Sequence, residues 1–234
     1  MMNKFQLILD GKIDEALALY TRDIENDFSS VTLTGRGRAY LYLNELDKAL
    51  ADFEMAAKIR EQVNLGPTDG HLQMIGVTLW LKGKEQEAAD VWNRLVQDHL
   101  ADKIEYSDRA GGVESGNLLW YAASFEKFRN YRKQAEKLLK KKSKHERIKY
   151  WPGPVAQYLL GNMSEDDLIL TARKSNREKR YLCEAYFYIG ARALSKGDKK
   201  HFRKAMADSV ATGPPNYVEN EFYLARYELA RTSE

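Results

Sequence analysis

Apolar and small residues along this chain recur at three- and four-residue intervals rather than in alternation, the spacing that gathers them on one face of an α-helix. The pattern is clearest in SSVTLTGRGRAYLYLNELDKALADFEMAAKIREQV. Here Leu33, Gly37, Tyr40, Ala49, Phe53 and Ala56 fall at positions 4, 8, 11, 20, 24 and 27 of a unit beginning at Ser30. Small residues at 8, 20 and 27 predict two helices in close approach, with the large residues at 4, 11 and 24 filling the gaps between them. The template recurs from Asp69 with Leu72, Gly76, Leu79, Gly83, Ala88 and Trp92, and from Cys183 with Tyr186, Ile189, Gly190, Gly197, Phe202, Met206 and Pro214. It fits more loosely from Gly116 (Leu119, Ala123, Ala135, Leu139), and Gly11, Ala16 and Tyr20 fit an incomplete unit before Ser30.

Between the last two units a short hairpin is expected over roughly 153–160 and 164–173, joined by GNMSEDD, in which Ser164 and Asp167 form a helix N-cap pair. Beyond Pro214 and Pro215, NYVENEFYLARYELAR predicts an amphipathic helix that caps the last unit. No strand-period segment or Gly/Ser linker divides the chain. The expectation is therefore one all-α domain over 1–234, with units near 1–29, 30–68, 69–115, 116–146, 147–182 and 183–216 and a capping helix at 217–231.

The spacing of the unit at Ser30 resembles the tetratricopeptide repeat, about 34 residues folded as two antiparallel helices. That resemblance covers nearly the whole chain and implies a right-handed α-solenoid of about thirteen helices, a tetratricopeptide (TPR)-like fold. The order of GGVESGNLLWYAA, KYWPGPVAQYLLGNMSEDDL, CEAYFYIGARALSKGD and NYVENEFYLARYEL is similar to the carboxy-terminal half of NlpI-type bacterial TPR lipoproteins. Those proteins are periplasmic adaptors that bring other proteins together. The chain departs from them in having no lipobox and no acylatable cysteine near its start, so periplasmic anchoring is not implied.

A stack of such repeats implies a concave face built by the first helix of each unit, with positions 2, 5, 9, 12 and 13 pointing into it. These include Thr34, Arg38 and Tyr42; Gln73, Val77 and Trp80; Asn117, Trp120 and Ser124; and Glu184 and Phe187. Arginine and aromatic side chains are what protein-binding hot spots use. Thr34, Arg38, Tyr42, Gln73, Val77, Trp80 and Trp120 are thus the expected partner-binding residues; Trp80 and Trp120 alternatively pack against a neighbouring repeat. TPR domains that grip chaperone tails place Lys at position 5 and Asn at position 9 of the first clamp helix. Thr34 and Arg38 stand there, followed by Gln73, so that clamp is absent. The connection at 102–117, DKIEYSDRAGGVESGN, is long for an inter-repeat turn and reads as an insertion or an interaction loop.

Charge adds one feature. The net charge is only +3, but residues 1–120 hold 13 basic against 20 acidic residues, whereas residues 121–180 hold 16 against 7. Seven of the thirteen residues from Lys137 to Lys149 are Lys or Arg. On a helix over 131–143, Tyr131, Ala135, Leu138 and Leu139 form a narrow apolar stripe and Lys133, Lys137, Lys140, Lys141 and Lys142 fan over the rest, with Lys144 just beyond. The expected role is a solvated outer face. Docking of an acidic protein is an alternative, and binding of nucleic acid or another anionic surface through Lys137–Lys149 is the rival from a different class. In the corner that follows, IKYWPGPV, Pro152 and Pro154 are expected to stiffen the chain and Trp151 to dock on the core.

Catalysis has little support. His71, His99, His145 and His201 are scattered without metal-ligand spacing, and Cys183, the single cysteine, lies in an apolar helix as a packing residue. Gly111 and Gly112 follow no strand and precede no Lys-Ser/Thr, so no phosphate loop is present. No metal, cofactor or small-molecule substrate is expected. The start, MMNKFQLILDGK, has no secretory pattern, and no stretch approaches the ~18 apolar residues of a membrane span. A cytoplasmic location is expected, or a periplasmic one if a leader has been removed. The resulting expectation is a non-enzymatic scaffold that binds another protein or peptide, of undetermined oligomeric state, or in a sharper form an antidote that occupies a cognate bacterial toxin.

Overall fold

The computed structural model describes residues 4–62, 68–213 and 219–231, and these are all-helical, with thirteen α-helices and no strand. Helices α1 (Lys4–Leu9) and α2 (Ile13–Asn26) form an amino-terminal pair. They are followed by α3 (Ser30–Tyr42) and α4 (Leu46–Gln62), then α5 (Asp69–Leu81) and α6 (Glu85–Leu100). After a long connection come α7 (Glu114–Ala122), a 3-10 turn at Glu126–Tyr131 and α8 (Arg132–Ser143). A second 3-10 turn at Glu146–Lys149 leads to α9 (Gly153–Leu159) and α10 (Glu165–Arg173). The chain ends with α11 (Glu178–Ser195), α12 (Lys199–Ala211) and α13 (Asn220–Arg231).

The repeat spacing has the steric meaning expected of it. A Cβ on Gly37 would lie 2.7 Å from the Phe53 ring, so α3 and α4 close to a distance only glycine permits, and at Gly76 the Trp92 indole takes the same place between α5 and α6. Local capping sets the helix starts. Ser29 and Thr32 form a reciprocal capping box at α3, the Ser164 hydroxyl accepts from the Asp167 N–H at α10, and Asp198 accepts from the His201 N–H at α12.

Phe5, Leu7, Ile8, Ala16, Tyr20 and Ala39 make a small separate core around α1 and α2, while one continuous core runs from Leu41 to Ala225. Its centre is α7, where every residue from Ser115 to Ala122 is buried and which touches α6, α8, α9 and α11. The loosest match to the repeat template thus holds the middle of the molecule.

Two elements differ from the sequence expectation. Helix α11 begins at Glu178, five residues before the unit expected from Cys183, so that Arg177 in the preceding turn and Arg180 in its first turn both line a cleft. Helix α13 does more than cap the last unit. It packs on α11 and α12 and also on α5, more than a hundred residues away in sequence. Pro214, Pro215 and the start of the expected capping segment, 217–218, lie outside the described residues.

Phe53 is fully buried against Gly37. Phe53→Ala is expected to cost about 3–5 kcal/mol in urea unfolding. A loss below about 1 kcal/mol would mean that α3 and α4 do not close on this ring.

Candidate functional site

The seven residues expected to bind a partner part company in the structure. Val77, Trp80 and Trp120 do not line an open face; all three are buried. For Trp80 the reason is α13, which packs on α5, the helix whose face was expected to be free. The Trp80 indole donates to Glu228 Oε1 at 3.1 Å and the Tyr121 hydroxyl donates to the same oxygen at 2.7 Å. Trp80 also stacks on Trp92 with ring centres 5.5 Å apart and leans on Tyr121, Phe125 and Phe128. Trp120 lies under the Arg132 guanidinium, 3.5 Å from its ring centre. Tyr42, half-buried, meets Phe5 edge-to-face at 5.2 Å and borders a separate hollow beside Tyr223 and Tyr227.

Thr34, Arg38 and Gln73 do come together, at the wall of a cleft of about 400 Å³. Helix α3 contributes Thr34 and Arg38, the start of α5 contributes His71 and Gln73, and the loop before α7 contributes Asp108 and Arg109. Trp151 and Pro152 of the corner, Arg177 in the turn before α11, Arg180 and Glu184 of α11, and Glu114 and Asn220 complete the lining. Trp151 docks as expected, stacked on Tyr181 at 4.3 Å with its indole donating to Glu184 Oε2 at 2.6 Å.

The long connection before α7 is a built wall. Asp69, fully buried at the start of α5, accepts from the Ser107 N–H at 2.7 Å and meets the buried His99 Nε2 at 3.1 Å. Gly112, at φ +90°, passes over the His99 ring where a Cβ would lie 2.5 Å from it. Asp108 then accepts from the Glu114 N–H at 3.1 Å, which supports the first turn of α7.

Behind the cleft the fold collects glutamates from three helices. Glu114 accepts from the Asn220 amide at 2.7 Å and Glu221 accepts from the Tyr188 hydroxyl at 2.9 Å. Arg180 lies 2.5 Å from Glu219 and 3.4 Å from Glu184. Burial pushes Glu184 and Glu221 up to about 8 and Glu219 up to about 7, against the pull of Arg180 on Glu184 and Glu219. Burial also holds Glu114 well above the ordinary carboxyl range, with Glu221 and Asp108 adding to the effect, and raises Asp108 itself. Arg180 loses hydration but is kept charged by Glu184 and Glu219, so its guanidinium titrates above the ordinary value. The cleft thus presents guanidinium donors over carboxyls whose titration burial shifts upward. Chemically it is suited to donate hydrogen bonds to a bound group that carries negative charge.

The lysine ridge is an exposed surface. Lys133, Lys137, Lys140, Lys141 and Lys144 border a shallow hollow with Glu136. Lys140 pairs with Glu136 at 3.3 Å and Lys141 with Asp102 at 2.9 Å, while Lys142 turns the other way, half-buried over the Tyr106 ring. Cys183 is buried against the Ser209 hydroxyl at 3.3 Å and its thiol is pushed up by burial. Among the described residues no group of three His, Cys, Asp or Glu could hold a metal ion, and no helix is long and apolar enough to cross a membrane.

Sequence reasoning missed Glu221 and Glu228 as the residues that seat α13. The signal was present: they are seven residues apart, two turns of helix, on the same face as Leu224 and Ala225, an arrangement a solvent-facing cap does not need. No protein-family model matches the chain.

The raised carboxyls give a signed pH dependence. A glutamate that titrates near 8 when folded and near 4.3 when unfolded binds more protons in the folded state, so stability falls as pH rises between those values. His71, held low by burial, works in the opposite sense only below about 6.5, and Asp47 and Asp102, lowered by Lys82 and Lys141, titrate lower still. Urea unfolding is expected to show stability decreasing from about pH 6.5 to 8.5, with a visibly shallower slope in Glu221→Gln. Unchanged slopes in that variant would show that Glu221 is ionised in the folded protein.

Proposed function

We propose that the chain is a non-catalytic protein-binding module built as a right-handed tetratricopeptide-like solenoid, and that its docking site is the cleft between α3, α5 and α11. One observation carries this reading. Three residues expected at partner-facing repeat positions, Thr34, Arg38 and Gln73, line a single cleft, while Trp80 is covered by α13 and Trp120 by Arg132. The cleft volume of about 400 Å³ is in the range of small binding sites and accommodates a few residues of a partner rather than a whole helix. Its polar lining favours an extended segment that supplies its own hydrogen bonds, with Arg38 pairing to a carboxylate or carbonyl of the partner. Adaptor and antidote are both forms of this activity, and the chemistry of the cleft is common to them.

Affinity capture from nuclease-treated lysate tests the reading when three proteins are run side by side. The parent and a Lys140→Glu/Lys141→Glu/Lys144→Glu variant are expected to recover the same protein in near-equal molar amount. An Arg38→Glu/Arg177→Glu variant, with its folding verified by thermal unfolding, is expected to lose it. Loss on the lysine ridge with retention in the arginine variant would move the site to α8 and overturn the cleft assignment.

A further inference from the structure

Two of the four arginines at the cleft are exposed, and neither is held in an ion pair among the described residues, although the charge of Arg177 pulls Glu219 downward. Arg109, in the loop before α7, is exposed and lies over the Tyr150 ring at 5.2 Å; Arg177, at the start of α11, is exposed on the facing wall. Arg38 and Arg180 sit deeper, both half-buried.

The acidic groups below are committed to the fold. Glu184 receives the Trp151 indole and lies beside Arg180, Glu114 receives the Asn220 amide, and Asp108 receives the Glu114 N–H. The lining sets Arg38, Arg109, Arg177 and Arg180 against Asp108, Glu114 and Glu184, so positive groups outnumber negative ones, and burial shifts the carboxyls upward. A cation entering here would meet four guanidiniums, whereas an anion meets N–H donors.

From this geometry we infer that the cleft is a recognition site for an acidic peptide segment, whose Asp or Glu side chains pair with Arg109 and Arg177 across the mouth. The inference rests on the docking role proposed above and names its ligand. Two rim charges on separate elements favour a segment bearing more than one carboxylate over a single small anion, because one segment lying across the mouth meets both. The floor, with Gln73 and Asn220 amides and the Thr34 hydroxyl, then faces the segment's backbone. Gln73 already donates to the Ser115 hydroxyl at 3.0 Å, which fixes the orientation of its amide.

The test uses the full chain, ¹⁵N-labelled, with arginine Nε–Hε resonances as the readout and four short peptides as probes. Acetyl-Gly-Glu-Gly-Glu-Gly-amide is expected to shift the Arg109, Arg177 and Arg180 signals saturably, and Arg109→Gln/Arg177→Gln to weaken binding by about tenfold or more. Both substituted residues are exposed, so thermal unfolding at the parent temperature is expected for the variant. Acetyl-Gly-Gln-Gly-Gln-Gly-amide is expected to leave the signals in place.

Equal shifts from the glutamine peptide, or undiminished binding in the arginine variant, would overturn the inference. So would binding of only the phosphoserine analogue, which would assign a phosphoryl ligand. Binding of only a glutamine peptide with a free terminal carboxylate would overturn it too, by assigning a chain end. If the captured protein depends on Arg38 and Arg177 but the glutamate peptide does not bind, this inference fails and the docking reading stands. If the peptide binds and no protein is captured, the acidic-segment site stands and the docking reading fails.

Discussion

Glu228 is the residue on which the closed form of this molecule depends. Its carboxyl is 2 % exposed and accepts hydrogen bonds from the Trp80 indole and the Tyr121 hydroxyl, with Arg231 3.5 Å away. A polar group buried this deeply is costly unless bonded, and here the donors come from α5 and α7. The bonds therefore hold the last helix against the middle of the chain. Arg231 continues the same contact by pairing with Glu85 of α6. Remove α13 and the aromatic group of Trp80, Trp92, Tyr121 and Phe125 would lose a covering wall.

Seating α13 also determines what lies at its amino-terminal end. Glu219, Asn220 and Glu221 arrive beside Glu114 and Glu184, so carboxyls from three helices share one desolvated region with Arg180 as its principal counter-charge. One guanidinium does not balance that many carboxylates in a low-dielectric setting, and burial shifts their titration upward. The same arrangement leaves the rim arginines as the charges that a ligand meets first.

The two basic regions of the chain differ in physical character. The lysines of α8 are flexible, exposed and partly paired with Glu136 and Asp102, so their field is screened within about 8–10 Å at ordinary salt. The arginines of the cleft are planar donors set in a concavity by α3, α11 and a loop tied to Asp69 and His99. Concavity and fixed orientation make the second set discriminating where the first is merely attractive.

Much of the helical architecture was legible from spacing alone, because helix packing is short-range. Gly37 with Phe53 and Gly76 with Trp92 encode close approach within one hairpin, and Ser164 encodes the start of α10 within one turn. The docking of Trp151 and the buried stripe of Ala135, Leu138 and Leu139 follow from similarly local patterns. The cleft was legible only where it depended on such patterns: Thr34, Arg38 and Gln73, grouped by repeat position, line it together. Trp80 and Trp120 pack inside, the alternative the spacing left open, because a repeat template says which face a residue occupies and not what covers that face. Trp80 is covered where α13 meets α5 across more than a hundred residues, and Trp120 by Arg132 of α8. The sequence by itself determined the helices and their pairing, since those are interactions within a few turns. Only the tertiary structure decided which face stays open, since that requires distant segments to compete for the same surface.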